Sequence, residues 1–232
     1  MTVVRVISNG HGEDIIAARL ISAIGVDTFQ FNVIPLVGNG RAYRDLGLMP
    51  LMTQPQMPSG GFLLRLKDVI SDVRSGLFIQ FQKQRRMLRH SHADYQIVIG
   101  DVFALFMASY QMDIPTVFFP TAKSERSIPH YGVEFYYIRK TAQLVFPRDI
   151  ETHQMFYKKN ISTRFLGNPM FDGMNSNIKK SNRLTILLLP GSRGEAVHNL
   201  AMMLSILERI KVKHSIEFMV ALSSSFQLEQ LK

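Results

Sequence analysis

Three acids and one arginine stand where an α/β protein usually does its chemistry. Asp101 directly follows the apolar run Tyr95-Gln96-Ile97-Val98-Ile99-Gly100. An acid at the carboxyl end of a strand can face a ligand crevice and take a proton from a hydroxyl nucleophile. It can equally cap the helix that follows. Glu13 and Asp14 come just after the run Val3–Ser8 and the turn Asn9-Gly10-His11-Gly12. They share that position, and they also open a helix, where negative charge complements the macrodipole. Gly10 and Gly12 allow a ligand to approach the backbone closely, or they serve only a tight strand-to-helix turn. His11 stands alone and reads as a loop residue. Further on, Leu187-Leu188-Leu189 runs into Pro190-Gly191-Ser192-Arg193-Gly194-Glu195. A turn between a strand and a helix points backbone N–H groups at one spot, where an anion such as a diphosphate can sit. Ser192 and Glu195 have capping-box spacing. Arg193 is left over by capping and is the preferred anion contact beside Gly191 and Ser192.

Strands alternating with helices must position these groups. Val3–Ser8, Phe29–Leu36, Tyr95–Gly100, Ile114–Phe119, Gln143–Phe146, Leu184–Leu189 and Ile216–Leu222 read as strands, with a further extended stretch at Arg164–Gly167 before Asn168-Pro169. Glu13–Ile24 reads as a helix because Ile16, Leu20 and Ile24 recur every four residues. A short helix is expected near Arg41–Leu46, a loop over Pro50–Gly61, and the longest helical region over Phe62–His92. This alternation predicts a parallel, doubly wound sheet. The polar stretch Asp172–Arg183 has no periodicity and reads as a linker. The expected organisation is a domain over 1–171, a linker over 172–183, and a second unit over 184–232. About 50 residues seldom form an independent α/β core, so that second unit reads as incomplete.

Composition narrows the choice. The 232 residues are 46% hydrophobic, ample for a core, and none is cysteine, which removes disulfides and thiolate metal sites. The first apolar run is too short for a signal peptide, and no run of about 18 apolar residues could span a membrane. The net charge is +9. Between Arg65 and Arg89 seven cations (Arg65, Lys67, Arg74, Lys83, Arg85, Arg86, Arg89) face two acids (Asp68, Asp72). Such a face suits anionic lipid, phosphorylated substrates or nucleic acid, or is merely solvated. Only Phe78 and Phe81 interleave there and no RNA-binding signature occurs, which disfavours nucleic acid. Ile15 stands where a dinucleotide fingerprint needs its third glycine, and Ile34-Pro35-Leu36 closes the second strand without an acid. No P-loop motif is present.

Taken in order, the motifs resemble the lipid-A-disaccharide synthase family of GT-B glycosyltransferases and its relatives. The likeness runs through Ser8-Asn9-Gly10-His11-Gly12-Glu13-Asp14 and the strand ending at Asp101. It continues through Leu144-Val145-Phe146-Pro147, Phe156-Tyr157 and Phe165-Leu166-Gly167-Asn168-Pro169-Met170-Phe171-Asp172, and closes at Leu188-Leu189-Pro190-Gly191-Ser192-Arg193. The family's first loop usually reads Gly-Glu-x-Ser-Gly-Asp, whereas Gly-His-Gly-Glu-Asp stands here. The resemblance implies an α/β fold of GT-B type, with a Rossmann-like first domain for the acceptor and the start of a second for the nucleotide sugar. It implies a UDP-sugar donor, a lipid-linked sugar acceptor, no metal and no other cofactor. By position, Asp101 matches the strand-end aspartate taken as base. Glu13 and Asp14 fall at the first glycine-rich loop, and Arg193 at the interdomain cleft. The family continues beyond this point and carries its main uridine contacts there.

The expectation is therefore an inverting glycosyltransferase, moving a sugar such as acylated glucosamine and acting peripherally at the inner face of the cytoplasmic membrane. Met52, Met57, Phe62, Leu63 and Leu64 beside Arg65 and Lys67 suit an anionic membrane surface; Phe62, Leu63 and Leu66 also have the spacing of a helix core face. A homodimer is compatible with the chain. Two rivals remain. One is a non-catalytic protein gripping a phosphate-rich polymer or nucleic acid through residues 65–89. The other is an isomerase of nucleotide sugars on the same fold.

Overall fold

A computed structural model describes residues 1–52, 77–111, 113–172, 184–191, 196–209 and 216–222. The chain divides into two compact units, Met1–Gly173 and Met174–Lys232.

The first unit is built on five strands: β1 (Val3–Ser8), β2 (Gln30–Pro35), β3 (Tyr95–Gly100), β4 (Thr116–Pro120) and β5 (Leu144–Val145). They lie in the order β2-β1-β3-β4-β5, and every pairing is parallel. Among the described residues six α-helices accompany them: α1 (His11–Ile24), α2 (Arg41–Arg44), α3 (Leu77–His90), α4 (Val102–Ala108), α5 (Gly132–Thr141) and α6 (Ile150–Lys158). Parallel strands need crossovers, and the crossovers cover both faces. Val6 and Ile7, adjacent in β1, are accordingly both fully buried. Val4, Val6, Phe31 and Val33 pack with Ile16, Ala17 and Ile21 of α1 on one face. Ile7, Ile34, Val98 and Phe118 pack with Leu105, Ile138 and Phe156 on the other.

Two details depart from expectation. Arg164–Gly167 forms no strand; a single bridge from Thr163 to Val145 is all that extends the sheet. Arg5, mid-strand in β1, is wholly buried. Its Nη2 donates to Gln111 Oε1 at 2.6 Å, to Ser91 Oγ at 3.0 Å and to the Ser91 carbonyl. Burial without an acid lowers its pKa to about 10.

In the second unit, β6 (Leu184–Leu188) pairs in parallel with β7 (Ile216–Val220), with α7 (Ala196–Arg209) between them in sequence. Leu188, Ala196 and Leu200 are buried; Leu184, Leu187, Phe218 and Met219 are exposed.

Candidate active site

The chain leaves β1 to make β2 on one side and returns to make β3 on the other. Between β1 and β3 the connections diverge, and in open α/β sheets ligands bind at the carboxyl edge of that switch point. The loops after β1 and β3 carry Asn9 to Asp14 and Asp101.

Asp101 follows the last residue of β3 and is half-buried. Its Oδ1 accepts from the Ala104 N–H at 3.0 Å, capping α4, and from Asn9 Nδ2 at 2.8 Å. Both donors use the same oxygen. Among the described residues none donates to Oδ2. Capping and an open carboxylate oxygen are therefore compatible at this position.

Glu13 reaches across from the first turn of α1. Thr121 Oγ1, just past β4, donates to its Oε1 at 3.1 Å. Thr121 is anchored twice more: its N–H donates to the Gly100 carbonyl at 3.0 Å, and its carbonyl accepts from Arg148 Nη1 at 2.9 Å. The other Glu13 oxygen folds over Gly10, where an added Cβ would lie 2.6 Å from Oε2. Gly10 thus makes room for the protein's own carboxylate. Gly12 has nothing within 4 Å of where a Cβ would stand. The exposed His11 ring packs over Gly38, whose added Cβ would come within 2.7 Å of Cε1.

Asp14 does not share this edge. It is buried beneath it, where Ser8 Oγ donates to its Oδ1 at 2.5 Å and lies 2.6 Å from the Tyr43 hydroxyl. Burial pushes the Asp14 carboxyl up to about 7, against the hydrogen bond from Ser8 and with help from the charge of Glu13. Burial, and then the charge of Asp14, push the Tyr43 hydroxyl far upward. Tyr43 therefore keeps its proton and donates to Ser8. The Asp14 side chain faces the core because it lies three, four and seven residues before the buried Ala17, Ala18 and Ile21, on the packed face of α1.

Gly191 is described, with φ 98. Ser192, Arg193, Gly194 and Glu195 lie outside the described residues, as do Met57, Phe62, Leu63, Leu64, Leu66, Arg65, Lys67, Arg74, Asp68 and Asp72. Of the basic stretch, Lys83, Arg86 and Arg89 are exposed on α3, and the Arg85 guanidinium sits 4.9 Å from the centre of the Tyr110 ring. Among the described residues no group of three His, Asp or Glu side chains could hold a metal ion, and no helix is long and apolar enough to cross a membrane.

Asn9, Thr121, Ser8, Tyr43 and Arg148 were not marked as site residues by type or spacing. One signal was present: Thr121 follows the end of β4 just as Asp101 follows the end of β3.

This edge and sheet define a Rossmann-like α/β fold of GT-B type. No protein-family model matches the chain, and no curated protein matches it. Solved structures do. MnaA from S. aureus, in a co-structure with UDP, matches with TM-score 0.59 at 14% identity, over 100% of this chain and 64% of that one. A UDP-N-acetylglucosamine 2-epimerase from Rickettsia bellii matches with TM-score 0.56 at 16% identity, over 95% of this chain and 62% of that one. MurG from Acinetobacter baumannii gives 0.50 at 12%, over 99% and 70%. The chain thus spans less than two thirds of the first two. At these identities the likeness is one of fold.

Proposed function

We propose that the chain is the acceptor-binding domain, and the beginning of the donor-binding domain, of a glycosyltransferase. Its donor is a UDP-linked sugar and its acceptor a lipid-linked sugar, as in lipid A disaccharide synthesis. The observation that carries this reading is the pair Glu13 and Asp101. Each carboxylate is oriented by a neutral donor from a neighbouring strand end, at the β1/β3 switch point. A hydroxyl nucleophile needs such a base, held in place and partly shielded from water. The acceptor oxygen bonds to the anomeric carbon while its proton passes to Asp101. The bond from that carbon to the diphosphate breaks, and its electron pair leaves with the UDP. Glu13, on the same edge, would orient the acceptor through its hydroxyls. Arg193 and the turn at Gly191 and Ser192 would meet the charge that builds on the diphosphate.

The same two carboxylates support a second reading, a nucleotide-sugar epimerase, in which one takes a proton from a sugar carbon and the other returns one to the opposite face. One assay separates the two. The protein is incubated with UDP-N-acetylglucosamine, with and without a lipid-linked sugar acceptor. UDP release that requires the acceptor supports transfer. Formation of the C2 epimer without acceptor replaces the first reading by the second. No binding of UDP or UDP-sugar overturns both and leaves the basic face of α3 as the functional surface.

A further inference from the structure

Two acids and four cations lie in the segment from Thr121 to Lys140, which leaves β4 at the same edge as Glu13 and Asp101. Both acids turn inward. Glu134 binds Lys123 Nζ through both oxygens, at 2.8 and 2.7 Å, and accepts from the Tyr131 N–H at 2.7 Å. Glu125 Oε1 accepts from the His130 N–H at 2.8 Å and lies 2.7 Å from His130 Nδ1, which is buried against Phe135 and Phe156. The cation of Lys123 is thereby matched, and sits 4.3 Å from the centre of the Tyr131 ring. Arg126, Arg139 and Lys140 are exposed, with no acid of the segment opposite them.

The same surface is apolar. Ile128, Tyr131, Val133 and Tyr136 are 56%, 69%, 73% and 57% exposed. Helical spacing explains how α5 does this. Phe135 and Ile138 turn to the core, so Val133, Tyr136 and the stretch Arg139-Lys140 fall on the opposite side. Scattered exposed apolar residues need no explanation, but four of them with three unmatched cations and no outward acid within the segment make a surface of one kind. Tyrosines and aliphatic tips next to cations settle at the boundary between acyl chains and anionic headgroups.

We infer that the loop after β4 and the outer face of α5 dock the protein on an anionic lipid surface. The inference rests on the lipid-linked acceptor of the proposed function, and gives it a place: the loop that meets the membrane is the one whose first residue, Thr121, holds Glu13. An acceptor whose acyl chains stay in the bilayer could then offer its sugar at the edge without being pulled out into water. Met52, half-buried, lies in the other stretch whose composition suits a membrane, and most of that stretch is outside the described residues.

The test is co-sedimentation with vesicles of phosphatidylcholine alone or mixed with phosphatidylglycerol. The wild type should bind only the anionic mixture, and less as salt rises. Ile128→Ser/Val133→Ser and Arg126→Glu/Arg139→Glu/Lys140→Glu should each reduce binding about tenfold or more, since each basic residue near such a surface contributes on the order of 1 kcal/mol. These side chains are exposed, so circular dichroism and UDP-sugar binding should be unchanged. Variants that bind vesicles like the wild type overturn the assignment. So does a wild type that ignores anionic vesicles, and so does a wild type that pairs with itself through this face in analytical ultracentrifugation. If UDP-sugar binding persists in those cases, the glycosyltransferase reading stands without this dock. If it is absent, that reading fails on its own.

Discussion

Glu13 and Asp14 are adjacent in the chain and live in different places. Glu13 lies at the open edge, held by Thr121 from β4. Asp14 lies beneath, in a buried line with Ser8 and Tyr43. On a helix, neighbouring side chains point about 100° apart, so one residue can serve the surface while the next serves the core. The difference in chemistry follows from solvent. At the edge an ionised carboxylate keeps access to water. In the layer below, the charge must be neutralised or compensated, and the Asp14 carboxyl rises to about 7. The edge therefore suits proton transfer with substrate, and the layer beneath suits support.

The sharpest way to break this comparison is to neutralise one acid of each kind. Asp101→Asn should lower turnover about 10²-fold or more, with UDP-sugar binding little changed, as for loss of a general base. Asp14→Asn should leave turnover within a few-fold. Steady-state kinetics of the two variants decide the matter, and equal losses would erase the division between edge and layer.

Asp14→Asn should instead appear in stability. The folded pKa lies above the unfolded value of 3.8, so folding binds protons here. The stabilisation linked to this proton is complete below about pH 4 and is lost as pH rises towards about 7. At pH 8 the variant should be more stable than the wild type by about 2 kcal/mol, less than the full linkage term because an amide is also costly to bury. Near pH 4 the gain should vanish. Urea denaturation at the two pH values measures it, and a gain that is equal at both would show that Asp14 carries no linked proton.

Thr121→Val removes the donor to Glu13 while keeping the shape of the side chain. Turnover should fall about tenfold, the order of 1.4 kcal/mol expected for one oriented hydrogen bond. Thr121→Ser should restore it, because serine keeps the hydroxyl. Failure of serine to rescue would show that the methyl group matters and not the bond. The smallest effect expected is that of Tyr43→Phe. It leaves Ser8 without its donor and should cost about 1 kcal/mol in stability with no change in turnover.

Much of this was legible in the residues. Apolar runs placed β1, β3 and β4 within two residues, because strands buried on both faces must be apolar along their length. The strand-end rule placed Asp101 just past β3. It would have found Thr121 too, but a threonine after a proline carries no charge to draw attention. The burial of Asp14 was only half legible: Ala17, Ala18 and Ile21 mark its face of the helix, but its partners Ser8 and Tyr43 are brought to it by the fold. Arg5 gave no sign of being buried: its partners Ser91 and Gln111 are brought to it only by α3 and the turn after α4. The extended stretch at Arg164–Gly167 makes no strand because β5, beside which the chain runs at Thr163, is only two residues long.

The order β2-β1-β3-β4-β5 also has a consequence in time. The bond from Asn9 to Asp101 closes a span of 92 residues, and that from Thr121 to Glu13 closes 108. Neither can be made by a hairpin or a local turn. Each must wait until β3 and β4 have been added beside a strand formed at the very start of the chain, and non-local closures of this kind are slow. A ribosome that has released only α1 and β2 has made one member of each pair, Asn9 and Glu13, with no partner yet to hold. The two carboxylates are thus set in their final positions late, and their arrival would report that β3 and β4 have joined β1.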